Sequence, residues 1–422
     1  MQTTFQHQGA GLRLQKEMMT AWYARQEQAV QTKLPIAYVF IGGSPNELLR
    51  NFGYELAFPE INALQCGIKK AAGPNIIRAE DFGYSSDVCG YVKNDIGLML
   101  NDYQSPQGRL AKPDFLVCNA SGCATYLKWW EALAQHFAVP LFVLDVPYVQ
   151  GDEIPAEEIE YVEAQIHELI ELLERQTGQA LDMARLKTDL AYAAQTEERW
   201  SQLLDLATHH PSPFDSYFEA VFFMANINIF RGTKEAVTYY DEVLKELKER
   251  IDHGVGPIPQ EKVRVVVEGP PPWPHFRSFW ELFKPWGVVC VASTYSKVGG
   301  LWDQGFRHDP SRPIRSMAEG MLHAYCNWSL PKRQALIRSY IDHFDADALV
   351  IHSVKSCRSF SVGQADLREY FHHEAKVPTL FVESDLADPR YFSHAQLRNR
   401  IDAFFESLEH RKLARGGAGG GP

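Results

Sequence analysis

The sequence predicts an α/β protein built of two parallel-sheet domains joined by a helical segment. Three observations carry that expectation. Short apolar runs alternate with helical pattern near the start, the same alternation returns after residue 260, and the stretch between them keeps helical period alone.

Residues 1–34 read as a helical segment. From 35 to 151 the first α/β domain is marked by IAYVFIGG (36–43), PNIIRAE (74–80), DFLVCNAS (114–121) and PLFVLDVP (140–147). Each run is β-branched or aromatic-rich and bounded by Gly, Pro or Asn, the pattern of a buried parallel strand. Between 152 and 260 the period changes: Ile159, Val162, Ile166, Leu169 and Leu173 recur at helical spacing and Gly178 stops the run. Further helical segments follow, broken at HHPSP (209–213) and around Gly232. Strand pattern returns in 261–410 as VRVVVEG (263–269), GVVCVAS (287–293), ALVIHSV (348–354) and TLFVESD (379–385), and IDAFFESLEH (401–410) closes the domain as a helix. Each half is expected to be flavodoxin-like, a parallel sheet wrapped by its crossover helices. The tail from 411, ending RGGAGGGP, is expected to be disordered.

Composition narrows the function. A chain of 422 residues exceeds one ordinary core, and 45% hydrophobic with 23% charged residues is the balance of a folded soluble protein. The net charge of −11 excludes a nucleic-acid partner, since no basic surplus exists to neutralise phosphates. No apolar run reaches the roughly 18 residues of a membrane helix; the densest, AVFFMANINIF (220–230), is interrupted by Asn226 and Asn228. The N-terminus has no apolar signal core. A cytoplasmic location is expected, and in that reducing compartment the odd count of seven cysteines is not a disulfide framework.

In open parallel sheets, ligands collect beyond the carboxyl ends of strands. That rule sorts the cysteines. Cys118 and Cys290 fall inside strand runs and Cys66 and Cys326 in helical pattern, where a small buried hydrophobe is the ordinary role. Cys89, in EDFGYSSDVCGYVKND, Cys123, across the Ser121-Gly122 turn, and Cys357, after ALVIHSV, each lie in a polar loop past a strand. Soft thiolates gathered from such loops suit an iron–sulfur cluster. Their separations, 34 residues and then 234, argue against structural zinc, which draws its ligands in close pairs.

Several blocks resemble one family. They are SPNELLRNFGYELAFPEINAL (44–64), DVCGYVKNDIG (87–97), NASGCATYLKWWEAL (119–133), VRVVVEGPPPW (263–273), ASTYSKVGG (292–300), ALVIHSVKSCRSFSVGQADLREY (348–370) and LFVESDLADPRYFSHAQLRNRIDAFFESL (380–408). Together they look like the benzoyl-CoA reductase/2-hydroxyacyl-CoA dehydratase family. The Lys128-Trp129-Trp130 segment is most like the B-type subunits of ATP-dependent reductases within it. The resemblance implies a [4Fe–4S] cluster on Cys89, Cys123 and Cys357, with Cys118 the alternative to Cys123 if the loop is shifted. Three thiolates would leave one iron open, the position thought to bind substrate oxygen in dehydratase relatives. It implies low-potential electron transfer to an aromatic acyl-CoA, a homologous sister subunit, an ATP-hydrolysing activator and a ferredoxin-type donor. The chain has no G-x-x-x-x-G-K-[ST] loop, so ATP would be used by the partner.

Glu47, Glu55 and His352 are the candidate proton donors; a first-turn helix residue and a core histidine are their ordinary roles. Trp129 and Trp130 would line the path to the cluster or pack their helix, and EGPPPWP (268–274) would form a pocket wall or a rigid turn. A reductase subunit, a dehydratase subunit and an electron-relay or scaffold subunit all remain open on the sequence.

Overall fold

The computed structural model describes residues 9–417 except 106, 107, 120, 122, 299, 300 and 304, and side chains up to residue 412. It contains two four-stranded parallel sheets. The first is made of β1 (Ile36–Tyr38), β2 (Glu55–Ala57), β5 (Phe115–Asn119) and β6 (Leu141–Leu144), with a two-stranded excursion, β3 (Gln104–Ser105) and β4 (Gly108–Arg109), before β5. The second is made of β7 (Val263–Glu268), β8 (Val288–Ser293), β9 (Ala348–Val354) and β10 (Thr379–Ser384). Spatially the sheets run β2-β1-β5-β6 and β8-β7-β9-β10. Counted within each sheet, both orders are second-first-third-fourth, the flavodoxin-like order. The direction of crossover reverses between β1 and β5 in one sheet and between β7 and β9 in the other, which gives each domain one crevice at its strands' carboxyl ends.

The runs at 36–43, 114–121 and 140–147, and the four expected in the second half, all contain strands. PNIIRAE does not. Residues Ala72–Phe82 form a helix whose buried side chains are Ala72, Asn75, Ile76 and Ala79. That spacing is helical, and Pro74 sits in the first turn, where a missing N–H is tolerated. The strand beside β1 is instead Glu55–Ala57, in register with Ile36–Tyr38. It is an edge strand covered by the Ala10–Thr32 helix, whose Trp22 Nε1 and Gln26 Nε2 both donate to the Leu56 carbonyl at 3.0 Å.

The long helices between the sheets are Ala156–Thr177, Met183–Asp205 and Lys234–Asp252. Val162, Ile166, Leu169 and Leu173 are buried on the first, which ends at Gly178 in the left-handed conformation. Asp182 and Thr233 cap the other two through their side chains. The last helix, His394–Gly417, begins before the expected closing helix and continues into the stretch expected as a tail, of which residues 418–422 lie outside the described residues. Among the described residues no helix is long and apolar enough to cross a membrane.

The domains are pinned where their carboxyl ends face each other. The Gly90 N–H donates to Ser356 Oγ at 3.0 Å, Trp273 Nε1 donates to Tyr91 Oη, and buried Lys93 reaches Glu80 at 2.8 Å and Asp388 at 3.5 Å.

Candidate functional site

A cavity of about 200 Å³ lies between the two sheets' carboxyl ends. Residues following seven strands line it: Phe40–Gly43 after β1, Glu60 after β2, Ser121 and Cys123 after β5, Pro270 after β7, Thr294 and Tyr295 after β8, Cys357 after β9 and Leu386 after β10. Met224 and Asn228 enter from the helical segment. Both topological crevices therefore open into one space.

Local structure delivers each cysteine. Cys123 is the N-cap of the Ala124–Phe137 helix. The loop before it is fixed by Asn119, which accepts from the Ser121 N–H at 2.6 Å and donates from Nδ2 to the Gly43 carbonyl at 3.3 Å. Gly43 must be glycine: its φ is +75°, and a Cβ would stand 3.0 Å from Asn119 Nδ2. Gly122, half of the turn expected here, lies outside the described residues. Cys357 caps the short Arg358–Ser361 helix. Its neighbour Ser356 bonds both the Gly90 N–H and, through its own N–H, Asp385 Oδ2 at 3.0 Å.

Cys89 is placed differently from the expectation. It follows a helix rather than a strand and is the N-cap of the Gly90–Met99 helix, whose first turn contains Tyr91 and Val92. Burial raises the Cys89 thiol well above its ordinary range, Cys357 and Cys123 add to the rise, and the Val92 and Tyr91 backbone N–H groups oppose it. Cys89 and Cys123 thus each stand at the N-terminus of a helix.

Cys326 lies outside the helix that the sequence pattern predicts for it. The helix Pro313–Leu322 ends before it, and Cys326 sits on the 3₁₀ turn Tyr325–Asn327 with its side chain among the cavity's lining. Burial raises its thiol to about 12. Cys66, Cys118 and Cys290 are buried elsewhere. Cys118 in particular belongs to the core of β5, apart from the cavity that Cys123 lines, and burial pushes it to about 12. Among the described residues no three His, Cys, Asp or Glu side chains converge to hold a single metal ion.

None of the three candidate proton donors lines the cavity. Glu55 begins β2, so it lies at the amino end of the sheet, in a separate cavity of about 390 Å³ with Arg25 and Arg50. Glu47 is fully buried. Burial would raise its carboxyl, but Arg231, at 2.8 Å with His308 and Arg50 near, outweighs that and holds it at about 2. His352 lies inside β9, bonded to Ser384 Oγ and the Pro270 carbonyl at 2.6 Å each; burial lowers it to about 4, so it is a neutral core histidine.

The carboxyl that does face the cavity is Glu60, at the start of the Pro59–Ile68 helix. Burial raises it to about 7 against hydrogen bonds from Tyr126 Oη and the Ile41 N–H. Its Oε2 is shielded from water and has no partner among the described residues. A glutamate directly after Pro59 reads as a helix-start residue, and nothing in the local pattern signals a cavity-facing carboxyl. Trp129 lines the cavity with its Nε1 donated to Asp95 at 2.8 Å, whereas Trp130 packs in the core. Pro270 forms part of the wall, as one reading of the Pro-rich run expects.

The family model described as "2-hydroxyglutaryl-CoA dehydratase, D-component" matches residues 43–408. The B-type subunit of benzoyl-CoA reductase from Thauera aromatica is 40% identical over 407 residues, 94% of each chain. The (R)-2-hydroxyisocaproyl-CoA dehydratase alpha subunit of Clostridioides difficile is 27% identical, over 95% of this chain and 97% of its own. The lactoyl-CoA dehydratase alpha subunit of Anaerotignum propionicum is 27% identical, over 88% and 90%. All three relatives are named as subunits. With a cavity lined by cysteines at both crevices and a match that runs through both sheets, the chain belongs to the 2-hydroxyglutaryl-CoA dehydratase D-component family, which is the family its cysteine loops resemble.

Proposed function

We propose that this chain is the iron–sulfur subunit of an ATP-dependent benzoyl-CoA reductase and works only with partner subunits. The observation that carries the reading is the meeting of Cys89, Cys123 and Cys357 at one cavity, in a chain 40% identical to a B-type benzoyl-CoA reductase subunit. The lining fits a [4Fe–4S] cluster in its chemistry: soft sulfur donors from both domains face one cavity walled largely by apolar and aromatic side chains. Cys89, Cys123 and Cys357 would hold it. Bound there, the cluster supplies an electron at very low potential to a thioester-activated ring.

The protein's own part is to exclude water and to hold a proton. Phe40, Tyr126, Trp129 and Tyr295 wall the cavity with aromatic surface. Glu60, raised to about 7, keeps a proton on its carboxyl near neutrality, and the unpartnered Oε2 is the atom from which it can be given up. Ring reduction adds protons as well as electrons, so a neutral acid beside the electron source matches the chemistry. ATP is hydrolysed by a separate activator, a ferredoxin-type protein donates the electrons, and a homologous sister subunit completes a cytoplasmic heterodimer. Such a permanent pair buries more than about 2,000 Å².

The test is an anaerobic assay of the co-purified complex with ATP and a strong reductant. The expected result is benzoyl-CoA converted to a cyclohexadiene thioester, with two electrons drawn per product and ATP hydrolysed in step. Many turnovers of a 2-hydroxyacyl-CoA after a single activation, with benzoyl-CoA untouched, would make the chain a dehydratase subunit.

A further inference from the structure

We infer that Cys326 is a fourth thiolate ligand at this cavity, so that a cluster held there has a protein sulfur on every iron. The inference rests on the cluster reading above and departs from the open iron that three cysteines would leave.

The first ground is position. Of the seven cysteines, Cys66, Cys118 and Cys290 are buried in the core, and the four that line the cavity are Cys89, Cys123, Cys326 and Cys357. Two come from each domain. The second ground is topology. Both sheets share one strand order, so their connections correspond. Cys123 follows β5 and Cys357 follows β9, each the third strand of its sheet. Cys89 lies between β2 and β5, and Cys326 between β8 and β9, each in the connection from second to third strand. Cys326 thus occupies in the second domain the place Cys89 occupies in the first, and the four thiols are two corresponding pairs.

The third ground is that the turn carrying Cys326 is held from both sides. Tyr325 Oη donates to Glu268 Oε2 at 2.9 Å, and Arg333 donates to Glu268 Oε1 at 2.6 Å. From the other domain, the Pro147 carbonyl accepts from Asn327 Nδ2 at 2.6 Å and the Val149 N–H donates to the Asn327 carbonyl at 3.0 Å. A side chain between two such anchors is pre-positioned rather than mobile.

Ligation forms one iron–sulfur bond and releases the Cys326 thiol proton; no electron changes hands. The consequence is chemical. A cluster closed by four thiolates has no iron free to bind a substrate hydroxyl, which eliminating water from a 2-hydroxyacyl-CoA would use. It can still pass electrons outward to a ring that has no such oxygen. The fourth thiolate therefore favours electron delivery over a lyase role for this chain.

The test uses the anaerobic complex of full-length chains. Alkylation by iodoacetamide, read at each cysteine by mass spectrometry, is compared before and after the cluster is stripped with a chelator. Cys326 should gain reactivity roughly tenfold on stripping, as Cys357 does, because the freed thiol regains its nucleophilicity. In a second measurement, limited ferricyanide oxidation of Cys326→Ala should produce a three-iron cluster signal by electron paramagnetic resonance that exceeds wild type, since the iron without a thiolate is lost first. Equal Cys326 reactivity before and after stripping, or no gain of the three-iron signal in the variant, overturns the inference while the cluster stands. A complex with no iron and no acid-labile sulfide overturns the cluster reading as well.

Discussion

The two α/β domains share a strand order, yet they present their cysteines in different ways. In the first, Cys89 and Cys123 are both N-caps of helices of ten residues or more. In the second, Cys357 caps a four-residue helix and Cys326 rides a 3₁₀ turn tied by side chains. The same topology thus reaches one cavity through helix N-caps on one side and through turns tied to buried polar anchors, Glu268 and Asp385, on the other. The difference teaches that a strand order sets where a ligand can be, while capping and side-chain bonds set how firmly it is held.

The largest effect that would sharpen this comparison falls on Glu60, the acid that the first domain alone contributes. Glu60→Gln should lower reductase turnover by about 10²–10⁴-fold with the iron content unchanged, as loss of a general acid does. The pH dependence has a definite sign. Burial raises the Glu60 pKa from its ordinary 4.5 to about 7, so its contribution to stability is fully present below 4.5 and lost as pH rises through 7. Wild type should lose thermal stability across that interval relative to Glu60→Gln, and thermal melts at several pH values read the difference. A variant with wild-type turnover would remove Glu60 from the chemistry.

Glu47 comes next, because it tests whether the helical segment anchors the first domain. Glu47→Gln leaves Arg231 buried without its charge partner, so unfolding should be easier by about 3–5 kcal/mol in denaturant. A midpoint unchanged from wild type would mean the pair is not structural.

A smaller effect probes the contact between domains. A Cβ on Gly90 would stand 2.7 Å from Asp385 Oδ1 and 3.0 Å from the Ala387 Cβ. Asp385 is already committed, accepting from the Ser356, Ala387 and Asp388 N–H groups at 3.0 Å. Gly90→Ala should therefore destabilise by about 1–3 kcal/mol, as overpacking does, with a lower melting temperature. An unchanged melting temperature would mean that this contact between the domains has room for a methyl group.

The comparison also shows what is legible in the sequence. Cys123 and Cys357 follow strands with clear β-branched runs, so their place at a carboxyl end can be read directly. Cys89 falls in the right loop but after the wrong element, because PNIIRAE looks like a strand until the burial of Asn75, Ile76 and Ala79 reveals helical period. Glu55–Ala57 escapes notice since three residues carry no periodicity. Neither Cys326 nor Glu60 stands out in the sequence as a site residue. Each sits beside helical pattern, and only the packing of one domain on the other turns them toward a common cavity. Glu47, Glu55 and His352 stand out by type and motif, but side-chain type cannot say which end of a strand, or which partner, a group meets.

The cluster proposed for the cavity between the domains depends on their loop cysteines. Iron and acid-labile sulfide measured anaerobically in single Cys→Ser variants of the complex test that most directly. Cys89→Ser, Cys123→Ser and Cys357→Ser should each lose this chain's cluster, while Cys118→Ser and Cys290→Ser should keep it. Full iron and sulfide in the first three variants, with loss in Cys118→Ser or Cys290→Ser, would contradict the account.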